Sequence, residues 1–142
     1  MPDDPYNLNR FIEAQAPVFE RVRSELRQGR KQSHWMWFVF PQIRGLGSSP
    51  MAQAFAISSL DEAKAYLRHP VLGARLRECV RLVNAVEGRT RHAIFGTPDD
   101  MKFHSSMTLF ALAEPEEPLF AAALRKYCDG KYDAKTVAQL ER

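Results

Sequence analysis

The sequence predicts an all-α fold: a single compact domain over residues 1–142, with about seven to nine short helices packed around a buried aromatic helix. Three observations carry this expectation. Helix start signals recur along the chain, at Ser49-Pro50, at Ser59 with Glu62 one turn on, at Thr97-Pro98-Asp99-Asp100 and at Asp133. Each supplies a side chain or a proline suited to the unpaired first amides of a helix. Between them apolar residues repeat at three- and four-residue intervals, with neither sustained period-two alternation nor an Asn-Gly hairpin signal.

Taken in order, Leu8, Phe11, Ile12 and Gln15 make the first amphipathic turns, and Pro17 then restarts or bends a helix. Phe19, Val22 and Leu26 continue the stripe until Gly29. Ser49-Pro50 opens a segment running through Phe55 and Ile57, and Ser59 with Glu62 forms a capping box ahead of Ala63, Tyr66 and Leu67. His69-Pro70 breaks that helix and starts what reads as the longest one. Its stripe of Leu72, Leu76, Cys79, Val83 and Val86 points inward, with Arg77, Arg81 and Asn84 toward water. A turn at His92 to Phe95 precedes the helix opened by Thr97-Pro98, whose apolar face is Phe103, Met107 and Phe110. Glu114 to Pro118 reads as a loop, Leu119 to Cys128 as a helix, and Asp133 as the cap of a last short one.

The stretch SHWMWFVFPQ, from Ser33 to Gln42, is apolar on every side. As a strand it would have no partner for its backbone groups. As a helix it starts at Ser33, stops before Pro41 and is buried all round. Burial of each large apolar side chain stabilises by roughly 1.5–3 kcal/mol, so this helix is expected to act as a hub.

The remaining composition excludes more than it assigns. Met-Pro-Asp-Asp at the start lacks the basic, apolar pattern of a leader, and no apolar run approaches the ~18–20 residues of a membrane span. A cytoplasmic, membrane-free protein is expected. Cys79 and Cys128 make a weak disulfide case, and Cys79 falls in the core stripe. The histidines His34, His69, His92 and His104 have no metal-ligand spacing, so neither metal nor cofactor is expected. A net charge of +3 permits an anionic partner without requiring one. Arg23, Arg27 and Arg30 are interrupted by Glu20 and Glu25, which argues for a solvated face over nucleic-acid binding. Gly45-Leu46-Gly47-Ser48-Ser49-Pro50 is a glycine turn into a helix, yet it lacks the ending of a phosphate loop and reads as a connector.

Two places set polar side chains against the apolar hub. At its rim, Lys31, Ser33 and His34 come first and Gln42 follows Pro41. Free amides at a helix start beside a lysine form an anion site, and a histidine there can accept or donate. The competing reading is that Ser33 caps, Lys31 is solvated and His34 is a satisfied core residue. Further on, Asp99, Lys102 and Ser106 fall along one line of a helix, with Ser105 beside it. Those small residues admit either a close neighbouring helix or a pocket.

The segments GRKQSHWMWFVFPQIRGLGSSP, YLRHPVLGARL and IFGTPDDMKFHSSMTLF resemble the bacterial domain-of-unknown-function 1810 family, some members of which carry the label calpastatin. The resemblance runs from Tyr6 and Phe11 to the Tyr127–Asp133 region. It implies an all-helical single domain and no particular reaction. Its signature positions include Lys31, Ser33, His34, Trp37, Pro41, Gln42, Gly45, Gly47, His69, Asp99, Lys102, Ser105 and Ser106. That overlap implies a shared pocket.

The expectation is therefore a pocket beside the Ser33–Gln42 segment for a small anionic or nucleotide-like ligand, contacted by Lys31, Ser33, His34, Trp37, Gln42, Lys102, Ser105 and Ser106. If the chemistry is a group transfer or hydrolysis, His34 or Asp99 is the candidate proton carrier. The alternative class is a non-enzymatic protein or polyanion interaction module using Arg23, Arg27 and Arg30.

Overall fold

The side chains that satisfy helix starts do so where the sequence places them. Ser49 accepts from the Ala52 amide, Ser59 from Glu62 and Asp133 from Thr136. The computed structural model describes residues 3–142; Met1 and Pro2, the start of the segment read above for a leader, lie outside the described residues. Its helices are α1 (Asn9–Gln15), α2 (Phe19–Arg27), α3 (Met36–Val39), α4 (Pro50–Ala54), α5 (Leu60–Arg68), α6 (Leu72–Asn84), α7 (Arg91–Phe95), α8 (Asp99–Ala113), α9 (Pro118–Tyr127) and α10 (Ala134–Leu140). Among the described residues the one β-type pairing is an isolated parallel bridge, Ile43 to Ile57. No helix among them is long and apolar enough to cross a membrane.

Several boundaries differ from expectation, each for a local reason. The turn at His92 to Phe95 is a helix, α7, because Thr90 caps it through the Ala93 amide. α4 ends at Ala54, short of Phe55 and Ile57, because Ile57 turns away to bridge Ile43. The longest helix is α8 with 15 residues, ahead of α6 with 13. α8 shows little apolar stripe because nearly all of its second half is buried, from Phe103 through Ala111 with His104 the exception. The helix expected to be the hub begins at Met36, not Ser33, and its N-cap Trp35 makes no side-chain cap bond; α8, not this helix, packs on the most neighbours.

α3 is buried through Met36, Phe38 and Val39, whereas Trp37 keeps partial exposure. Its aromatic neighbours extend into a chain of ring contacts. Phe40 packs edge-on against Phe103 at 5.2 Å and Phe95 at 5.9 Å. Phe11 meets Tyr66 at 5.1 Å, and Tyr66 meets Phe110 at 5.4 Å. Such ring pairs add about 0.5–1.5 kcal/mol each beyond area burial. α8 touches α5, α7, α9 and α10, while α6 lies against α2, α5 and α9.

Polar groups close the helix ends inside this core. Gln15 is buried and donates to the Phe38 carbonyl at 2.6 Å and the Tyr66 hydroxyl at 3.1 Å. Lys126 donates to the Asn84 and Val86 carbonyls at 2.6 Å, which neutralises the open end of α6. Arg77 and Asn84, expected to face water, instead reach the α9 side. Arg77 bonds Glu117 at 2.8 Å, and Asn84 bonds the Leu119 carbonyl at 3.3 Å. Cys79 and Cys128 are both free and buried, and burial pushes the Cys79 thiol up to about 12.

Candidate ligand-binding site

Ahead of the expected helix start, the Gln32 and Ser33 amides are already taken. Residues 30–35 pass α2 as an open loop, and the buried carboxylate of Glu25 holds four of their donors. It accepts from the Gln32 amide at 2.7 Å, the Ser33 amide at 3.0 Å, the Ser33 hydroxyl at 2.5 Å and the Trp35 indole at 2.9 Å. Burial works to raise this carboxyl. The Ser33 hydroxyl, the Gln32 and Ser33 amides and the Trp35 indole outweigh it and hold Glu25 below the usual glutamate range. Ser33 is thus neither a cap nor an available hydrogen-bonding group; it ties the loop to α2.

Beside this knot the loop delivers Lys31 to the first turn of α8. The Lys31 ammonium meets Asp99 Oδ2 at 2.8 Å and donates to the Ser33 carbonyl at 2.5 Å, with the Trp35 ring 5.1 Å away. Its side chain is 7% exposed. Lys102, one turn along α8, reaches Asp99 Oδ1 at a longer 3.5 Å and keeps 21% exposure. It lies 4.7 Å from the centre of the half-buried Trp37 ring. Lys31, Trp37, Asp99 and Lys102 therefore converge, with Asp99 bridging two ammonium groups.

The other predicted residues separate. Ser105 is buried but turns to α10, donating to Asp133 Oδ2 at 3.0 Å. Asp133 in turn accepts from the Thr136 hydroxyl at 2.6 Å, so Ser105 belongs to the α8–α10 seam. Ser106 is fully buried, and its hydroxyl has no hydrogen-bond partner. His34 is exposed, which removes the reading of it as a core histidine. Gln42 lines a hollow of about 460 Å³ with Ile43, Arg44, Gly45, Gly47, Ala52, Gln53 and Ala56. No group of histidine, cysteine or carboxylate side chains among the described residues could hold a metal ion.

The model of a family described as "Protein of unknown function (DUF1810)" matches residues 5–140. The chain belongs to the DUF1810 family. Its structure is similar to the crystal structure of the conserved hypothetical protein Rv1873 from Mycobacterium tuberculosis. The two share 59% identity and a TM-score of 0.96 over 98% of this chain and 99% of that one. Comparison with the curated proteins gives no match.

In this DUF1810 chain the corner of Trp37, Asp99 and Lys102 offers a particular chemistry. Lys102 stands over the indole face as a cation–π pair, and its ammonium lies 3.5 Å from Asp99 with part of its surface open. Of the two residues expected as proton carriers, Asp99 is paired with two ammonium groups and His34 is exposed. Arg44, outside the residues expected at the site, also lines the hollow at Gln42. Its signal was a lone cation directly before the Gly45-Leu46-Gly47 turn, the stretch read as a connector.

Proposed function

We propose that this DUF1810 protein binds a small anionic or nucleotide-like ligand at the corner between α3 and the first turns of α8, with Lys102 and Trp37 as its main contacts. One observation carries the reading. Lys102 stands over a half-buried indole while its bond to Asp99 is long, 3.5 Å against 2.8 Å for Lys31. An anion approaching beside Trp37 can engage the partly exposed Lys102 ammonium without opening the core. Lys31 adds charge from behind but is committed to Asp99 and the Ser33 carbonyl. A cytoplasmic setting accompanies this reading, supported by two unpaired cysteines. The polyanion-face alternative is weakened because Arg23 already pairs with Glu20 at 2.7 Å and Glu78 at 2.8 Å.

The test is a thermal-shift screen of nucleotides and sugar phosphates on the wild-type chain and on Lys102→Ala. A ligand at ~100 times its dissociation constant adds about 2.7 kcal/mol of stability. The expected result is a shift in the wild type that Lys102→Ala loses. A Lys102→Ala protein that retains the full shift overturns the assignment.

A further inference from the structure

The hollow at Gln42 lies outside the lysine corner and has the features of a second site. Its volume, about 460 Å³, is within the range of small-molecule pockets. Its walls divide by chemistry. Ile43, Ala52 and Ala56 supply apolar surface, while Gln42, Arg44 and Gln53 supply polar groups.

The glycines in its wall are sterically required. Gly45 has φ +99°, a backbone conformation that a side chain would strain. A Cβ on Gly47 would stand 2.7 Å from the Ala52 Cβ. Gly47 thus holds its backbone close against Ala52 in the wall of the hollow.

The polar groups are mostly uncommitted. Gln53 spends its amide nitrogen on the Ser48 carbonyl at 2.8 Å, which leaves its oxygen as an acceptor. Arg44 is exposed. Its backbone amide holds the Ile57 carbonyl at 2.8 Å, while its guanidinium joins no ion pair among the described residues. A lone guanidinium is a planar double donor matched to a carboxylate.

We infer that this hollow is a binding site for a small flat ring carrying one carboxylate. The carboxylate pairs with Arg44, the ring lies on Ile43, Ala52 and Ala56, and Gln42 and Gln53 hydrogen-bond ring substituents. A single cation among the lining residues favours a monoanion over a phosphate dianion, which separates this ligand class from that of the lysine corner. The site does not depend on the Lys102 reading.

The experiment is amide chemical-shift mapping of the full chain with benzoate and nicotinate, and with neutral benzamide and nicotinamide as controls. The expected result is shifts confined to residues 42–56, with the acids binding about tenfold more tightly than the amides, as for a hydrogen bond to a charged group. Arg44→Ala should abolish that preference, and Ala56→Leu should fill the hollow and weaken the acids while leaving the rest of the spectrum in place. The inference is overturned if neither acid moves these amides, if acid and amide bind equally, or if Arg44→Ala keeps the preference. Shifts that appear instead at Trp37 and Lys102 overturn it too, while leaving the lysine corner standing.

Discussion

Glu25 and Asp99 each sit beside the 35–37 stretch and each collects hydrogen-bond donors, yet they leave different surfaces behind. Glu25 accepts four bonds, all from groups of its own chain between Gln32 and Trp35. Asp99 accepts two ammonium groups, one close and one long. The first arrangement is saturated and closed. The second leaves Lys102 with spare donors above an indole face. Charge, hydroxyl and aromatic residues alone do not distinguish a closed knot from an open corner; the count of donors left over does.

Breaking the saturated side should have the largest effect. Glu25→Ala strands the buried Trp35 indole N–H and two amides of a part-buried loop. Each unmatched buried group costs ~1–3 kcal/mol, so a loss of about 3 kcal/mol or more is expected in urea unfolding. A loss under 1 kcal/mol would mean that water replaces the carboxylate easily.

Lys31→Ala is expected next, at about 2 kcal/mol, since it removes a nearly buried partner from Asp99 and a donor from the Ser33 carbonyl. Equal costs for Lys31→Ala and Lys102→Ala would erase the distinction between the two lysines.

Acid should then reveal Glu25 without mutation. Its folded carboxyl is held below its ordinary value of 4.5. The stability it contributes is fully present above that unfolded value and is lost as pH falls through the lower folded one. Unfolding midpoints measured from pH 6 downward should fall more steeply for the wild type than for Glu25→Gln. Parallel curves would count against the role.

The smallest effect belongs to Lys102→Ala, under about 0.5 kcal/mol, as for a partly exposed pair. That near-silence in stability, joined to a lost ligand response, is the signature of a site residue.

The sequence made the architecture legible where the physics is local. Ser49, Ser59 and Asp133 bond an amide within one turn, and such caps can be read from spacing. Glu25 could not be read this way, because its partners lie seven to ten residues on, across a loop whose path has no periodic pattern. Asp99 and Lys102 were legible as one helix line. Ser105 was not, since its partner Asp133 comes from a helix docked 28 residues later. Ser33 looked like a cap because a serine before an apolar run usually is one. Here the tertiary carboxylate outcompeted the local bond.

The Ile43–Ile57 bridge has a consequence for how the molecule breathes. Its backbone bonds, Arg44 amide to Ile57 carbonyl and Ile57 amide to Gln42 carbonyl, are both 2.8 Å and tie the neck of the intervening loop. Inside that loop α4 buries no residue. The loop is held to the body by Phe55 against Phe11 and Phe38, and by Arg10 bonds to the Ala54 and Ala56 carbonyls. Such a tethered lobe detaches as one piece at a lower free energy than global unfolding. In hydrogen–deuterium exchange the amides of α4 should lose protection together, while those of α8 outlast them by orders of magnitude. Benzoate or nicotinate lodged against Ala52 and Ala56 should slow the exchange of that lobe alone.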